Sequence, residues 1–145
     1  MRVLLQRVSQ AQVCVDGEII GHISKGLVLL TGITHEDNKD KVEKMAEKLI
    51  RMRLFTDNEG KMNLSSKEVN GELLVVSQFT LYGDTHKGRR PSFVDAAHPE
   101  QAKPLINWFV QCFKARGMTV ATGKFGANMQ VTLTNDGPVT LMVEN

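Results

Sequence analysis

The chain is poor in the features that would commit it to a specialised environment. Only two cysteines, Cys14 and Cys112, occur in 145 residues. One lies in a strand-like run and the other in a helix-like run, with no metal-ligand spacing between them. A disulfide framework is therefore not expected, and two buried free thiols in a reducing compartment is the simplest reading. No apolar run approaches the roughly 20 residues of a membrane span, and Arg7 follows Arg2 too soon for a signal-peptide core. The expected compartment is the cytoplasm, with no membrane partner. Around Asp57 the acidic residues are too few for a calcium loop, and the four histidines lack zinc-site spacing. No metal and no cofactor is expected. The excess of basic over acidic residues is small too: the net charge is +2, far from that of a protein that wraps nucleic acid. Extensive phosphate tracking and a DNA partner are not expected, which leaves room for a small local contact.

What is there is an ordinary core, with 41% of residues hydrophobic and 23% charged, enough for one domain over residues 1–145 without staples. Residues 2–8 and 11–15 predict two short strands with a bend or bulge at Ser9-Gln10. Asp16-Gly17 predicts a hairpin into a third strand, 18–23, and Leu27 to Ile33 is apolar enough to lie centrally in a sheet. From Asp37 the period changes: Val42, Met45, Ala46, Leu49 and Ile50 fall on one helix face, with Asp37 or Asn38 as the cap. Residues 57–60 predict a turn and 61–71 an ordered loop. Pro99 suits the first turn of a second helix that Gly117 would stop. Pro104 would kink it or mark the start of its regular part. Trp108 and the phenylalanines are expected in the core. Residues 118–122, 128–134 and 139–143 predict three closing strands. The order argues for an α+β fold, with curved β-sheets forming a barrel-like core and two helices outside.

The stretch with most chemical content is Leu73 to Leu81, an apolar strand of the kind buried on both faces that turns polar at Ser77, Gln78 and Thr80. Buried polar groups need partners or cost roughly 1–3 kcal/mol each, so this end of the strand requires a local reason. Core hydrogen bonding and an active site both meet that need. A second segment, Asn135-Asp136-Gly137-Pro138-Val139-Thr140, wedges Gly-Pro between two β-prone runs. Its ordinary reading is a trans Gly-Pro turn, just as the ordinary reading of Arg7 is a solvated arginine on a strand face. A third, Tyr82 to Phe93, is a glycine-punctuated loop with Lys87, Arg89 and Arg90. It is either solvated or a contact for phosphates. His86 and His98 are conceivable general bases, although nothing in the sequence pairs either with a nucleophile.

Together, Ser77-Gln78-Phe79-Thr80-Leu81 and Asn135-x-Gly137-Pro138-Val139-Thr140 resemble the signature motifs of the D-aminoacyl-tRNA deacylases, which strip wrongly attached D-amino acids from tRNA. Phe55-x-Asp57-x-x-Gly60-Lys61-Met62-Asn63 and Lys87-Gly88-Arg89-Arg90-Pro91-Ser92-Phe93 are similar to that family as well. The resemblance implies a compact β-rich homodimer that acts on the 3′ end of aminoacyl-tRNA and needs no cofactor. It implies catalytic roles along Ser77, Gln78, Phe79 and Thr80, with the Phe79 amide as oxyanion donor. For the attacking group it favours a water assisted by the terminal ribose 2′-hydroxyl, with Thr80 as the alternative. It also implies that Gly137-Pro138 is a cis motif inserted into the partner subunit's site, held by Arg7, and that Met129 and Ala102 line the pocket. Glycyl-tRNA is expected as a further substrate, because glycine has no side chain to exclude.

Overall fold

The computed structural model describes all 145 residues. The aliphatic alternation at the start of the chain forms one strand, β1 (Arg2–Val15), rather than two. Ser9-Gln10 does not break it. The irregularity expected there appears instead as slips in its pairing with the last strand, between Gln6 and Val8 and between Val8 and Gln10. Asp16 and Gly17 both take positive φ, 51° and 83°, as a tight two-residue hairpin with the twist of its strands demands. The turn leads into β2 (Glu18–Ile23), antiparallel to β1. β3 (Gly26–Gly32) returns along the other half of β1.

α1 (Lys39–Arg51) buries Val42, Met45, Ala46 and Leu49. Its cap is Asn38, whose side chain accepts the Lys41 N–H at 3.0 Å. Asp37 does other work: its fully buried carboxylate meets the Met1 ammonium at 2.7 Å and accepts the Thr34 N–H at 2.8 Å. After α1 the expected loop proves to hold half of a small hairpin, β4 (Arg53–Thr56) with β5 (Met62–Ser65). Its turn is organised by Asp57, whose Oδ1 accepts the Glu59 and Lys61 amides at 2.9 Å each.

β6 (Glu72–Ser77) lies parallel to β3 and is followed by a 3₁₀ turn, Phe79–Tyr82. The apolar strand thus ends four residues earlier than the sequence suggests. Its polar end is not deep in the core: Ser77 and Gln78 are half-buried and Phe79 and Thr80 exposed. α2 (Pro99–Lys114) runs through Pro104 as one helix. Its end is closed by Gly117, at φ +79°: the Gly117 amide donates to Lys114 O at 3.0 Å and the Met118 amide to Phe113 O at 3.2 Å. Trp108 is a seam residue rather than core, with Nε1 donating to Glu43 of α1 at 3.1 Å and the Lys39 ammonium 4.7 Å from its ring. Cys112 is buried; Cys14 is only half-buried, short of the expectation. β7 (Val120–Thr122) pairs in parallel with β6, and the last two predicted strands merge into one, β8 (Gln130–Glu144), antiparallel to β1.

The sheet order is β2-β1-β3-β6-β7, with β8 added alongside β1. β2 curls back against β7 so closely that a Cβ on Gly21 would lie 2.7 Å from Thr122 O, and the sheet is nearly a closed barrel. Alternation along β3 and β6 then supplies two cores. Leu27, Leu29, Leu73 and Val75 join Phe109 and Phe113 under the helices. Val28, Leu74 and Val76 join Val8, Val13 and Ile23 inside the curl. Both faces of β6 are therefore dry until Ser77, where the strand leaves the sheet.

Candidate active site

The exit of β6 is where the cavities meet. A groove of about 640 Å³ is lined by Ser77, Gln78 and Phe79 on one side and by Ala102, Ile106 and Phe125 on the other. A second space of about 260 Å³ adjoins it along Ser77, Gln78, Phe79 and Gly126 and reaches Met129. A third, about 310 Å³, opens from Ser77 towards Asn107, Gln111 and Lys114. Ser77 lines all three. The 3₁₀ turn explains what is offered there. Gln78 N–H is still held by the β3 ladder, donating to Thr31 O at 2.8 Å, and the turn's own bonds begin with Leu81 donating to Gln78 O at 3.3 Å. The amides of Phe79 and Thr80 lie between the two patterns and are left open, as the first N–H groups of any helical turn are.

Side chains around these amides are of modest reactivity. Gln78 Nε2 donates to Thr80 Oγ1, and no basic group touches that hydroxyl. Two histidines line the large groove: His35, which sequence reasoning missed and whose Nε2 meets Val94 O at 2.7 Å, and His98, named there as a conceivable base, at the start of α2. Their rings are 5.7 Å apart. The sequence separation of 63 residues hid that proximity. His86 is elsewhere, on the basic loop, with Nδ1 2.6 Å from Asp84 Oδ1. Asp84 is held below the usual carboxylate range, first by the His86 backbone N–H and then by the His86 ring. Met129 and Ala102 both line the site but in different compartments. Met129 is seated by Gly123, where a Cβ would lie 2.6 Å from its sulfur.

Arg7, Gly137 and Pro138 form a separate cluster and line none of these cavities. Val8 pairs with Asn135 and Gln6 with Thr140, so Asp136, Gly137, Pro138 and Val139 all stand against Arg7 alone and must bulge outward. Asn135 clamps the base of the bulge: Oδ1 accepts the Val139 amide at 3.0 Å and Nδ2 donates to Thr140 Oγ1 at 2.7 Å. Arg7 is buried, not solvated. It donates from Nη1 to Leu54 O at 2.7 Å and from Nε to Asp136 O at 3.1 Å. Gly137 takes φ +125°, with room for no side chain, since a Cβ would lie 2.9 Å from Arg7 Nη2. The Gly137-Pro138 peptide is cis rather than the ordinary trans turn.

The chain matches known proteins along its whole length. The family model for D-Tyr-tRNA(Tyr) deacylase matches residues 4–144. The chain belongs to that family. A D-aminoacyl-tRNA deacylase of Chloroflexus aurantiacus is 55% identical, covering 100% of this chain and 91% of the relative. Another, of Brevibacillus brevis, is also 55% identical and covers 100% of both. Among solved structures, one titled c-Myc DNA Unwinding Element Binding Protein superposes with a TM-score of 0.93 at 42% identity, covering 100% of this chain and 99% of that one. A second, described as a probable eukaryotic D-amino acid tRNA deacylase, superposes at 0.85 with 20% identity over 98% and 97%, and at that identity it shows the fold alone. Membership makes the chain a hydrolase of the deacylase class. It agrees with the barrel-like α+β architecture described above, and no helix is long and apolar enough to cross a membrane.

Proposed function

We propose that this D-aminoacyl-tRNA deacylase cleaves the ester between a D-amino acid and the terminal ribose of tRNA, releasing both, and that it accepts glycyl-tRNA as well. The observation that carries the reading is the pair of open amides at Phe79 and Thr80, at the confluence of cavities large enough for an adenosine and an aminoacyl group. Ester hydrolysis passes through a tetrahedral intermediate whose former carbonyl oxygen gains charge, and fixed N–H donors aimed at that oxygen are commonly the largest catalytic contribution. Phe79 N–H is the donor in this scheme, with Ser77 and Gln78 shaping the turn that holds it.

The nucleophile is water. It adds to the carbonyl carbon, the bond to the ribose oxygen breaks, and that oxygen takes up a proton while the acid leaves as its carboxylate. The neighbouring ribose 2′-hydroxyl assists. Thr80 is the rival, but its hydroxyl accepts from Gln78 and touches no base, and an unactivated hydroxyl is a weak nucleophile. Chirality is set by main chain: Gly137-Pro138 of a partner subunit, steadied by Arg7, walls the site so that an L side chain meets carbonyls and a D side chain points away. The working unit is a homodimer in the cytoplasm, with Lys87, Arg89 and Arg90 reaching substrate phosphates.

The test is the release rate from D-tyrosyl-, L-tyrosyl- and glycyl-tRNA, with Thr80→Val and with substrate ending in 2′-deoxyadenosine. The expected pattern is rapid D and glycyl release, with at least a thousandfold preference over L, about 4 kcal/mol of discrimination. Thr80→Val retains activity, and the deoxy substrate loses it. Stable glycyl-tRNA beside rapid D-cleavage would refute exclusion by the wall. Abolished turnover in folded Thr80→Val would transfer the attack to that hydroxyl.

A further inference from the structure

Phe93 is neither core nor loosely exposed. The residue is 38% exposed, yet its ring is held edge-on to Phe79, with centroids 5.0 Å apart and planes at 69°. A Cβ on Gly83 would lie 2.9 Å from its Cε1, so only glycine there leaves the ring its seat. The backbone is pinned on both sides. Ser92 exchanges two backbone bonds with Asp84, at 2.7 and 2.8 Å, and the Ala97 amide donates to Ile33 O at 2.9 Å. Thr34 Oγ1 donates to Asp95 O at 2.6 Å. Val94, 77% exposed, extends the apolar surface beside the groove.

Immediately before this fixed ring come Lys87, Arg89 and Arg90, all exposed and none in an ion pair. Arg90 is three residues from Phe93, at most about 11 Å along the chain. A rigid aromatic face flanked by unpaired cations is the arrangement that holds single-stranded nucleic acid, the base by stacking and the backbone by charge. We propose that Phe93 is the stacking platform for the unpaired base just 5′ of the terminal adenosine, with Arg89 and Arg90 on its phosphates. The inference rests on the deacylase reading above and adds a second nucleotide subsite to it. Through its contact with Phe79, a seated base also steadies the turn that carries the oxyanion donor, which makes Phe93 a positioning residue.

The experiment compares D-tyrosyl esters of adenosine and of the trinucleotide CCA, with wild type, Phe93→Leu, Phe93→Trp and Arg89→Ala/Arg90→Ala. Binding of fluorescent CCA is followed by anisotropy at fixed salt. In Phe93→Leu the ratio of kcat/KM for trinucleotide over adenosine ester falls by about tenfold, chiefly through KM, and CCA binding weakens in parallel. Phe93→Trp restores both, and the double arginine variant loses binding with a shallower salt dependence. An unchanged ratio in Phe93→Leu, or equal loss on both esters without rescue by Trp, overturns the platform and leaves Phe93 a prop for Phe79. Should wild type cleave neither ester, the deacylase reading falls. CCA anisotropy then decides the platform alone: weaker binding by Phe93→Leu upholds it, and identical binding overturns it.

Discussion

Arg7 is a cation taken out of water, and its surroundings account for the cost. Two carbonyls accept from it, one of them Leu54 O in the buried β4 region, and the Asp136 carboxylate lies 3.4 Å from Nε. Arg7→Ala leaves the Leu54 carbonyl without its donor and the bulge without its strut. The expected loss is about 1–3 kcal/mol, read as a lower urea midpoint at unchanged slope. D-specific hydrolysis should fall further than the unfolded fraction explains if the bulge it holds is the chirality wall proposed above. Arg7→Lys, a point charge without the planar fork, should recover stability only in part. Tyr82 allows a cleaner reading at this scale because it is the sole tyrosine. Burial first, then the Asp37 charge, pushes its hydroxyl up to about 12, against an opposing effect of Arg2. Tyrosinate absorbance should therefore appear near pH 12 in the native protein and near pH 10 in denaturant. The raised native value means the folded state holds this proton more tightly. Its contribution to stability is complete below about pH 10 and is lost as pH rises to about 12. Tyr82→Phe should remove that alkaline dependence.

At the scale of elements, β3 and β6 carry the site, because their parallel register fixes where Ser77 leaves the sheet. Gly26 opens β3 directly against Glu72, and a Cβ there would lie 1.9 Å from Glu72 O and 2.7 Å from Glu72 N. These are backbone atoms that no rotamer change can clear. Gly26→Ala should cost at least the roughly 1–3 kcal/mol of an overpacked core and lower the melting temperature by several degrees. Because the displaced strand leads to Phe79, turnover per folded molecule should fall too. The sequence conveyed these elements unevenly, for physical reasons. The Asp16-Gly17 hairpin and the apolar stripe of α1 are local patterns, and both were legible. β5 was not: Met62 and Leu64 supply too little alternation, and their pairing with β4 depends on Asp57 bonding its own turn. Nor was the 3₁₀ turn, since Phe79 and Leu81 continue the apolar run that β6 begins. Merging the last two strands into β8 required knowing that Arg7 stands opposite a bulge, a property of register that one strand alone does not encode. The motifs at Ser77 to Leu81 and Asn135 to Thr140 are local stretches that a sequence displays, whereas His35 and His98 met through folding and left no pattern.

For the whole molecule the open question in the architecture is the outer edge of β8. This 15-residue strand pairs with β1 and with nothing on its other side, and it exposes Val131, Leu141 and Met142 at 36%, 39% and 49%. A long edge with unpaired backbone groups and apolar side chains is a template for another chain unless it is covered. The bulge of Gly137-Pro138 lies within this strand while the open amides of Phe79 and Thr80 lie beyond β1 and β3. Three strand spacings, about 14 Å, separate the strands that carry them. The proposed wall and the proposed catalytic turn are brought to one substrate most directly if two chains contribute. The protein should therefore sediment at about twice its 16.1 kDa. Leu141→Lys with Met142→Lys, which sets two charges into the proposed contact, should yield a folded monomer that has lost D-specific release. A monomeric variant that still cleaves D-tyrosyl-tRNA and spares the L-ester would overturn the shared site, because the chirality wall would then have to come from the same chain as Phe79.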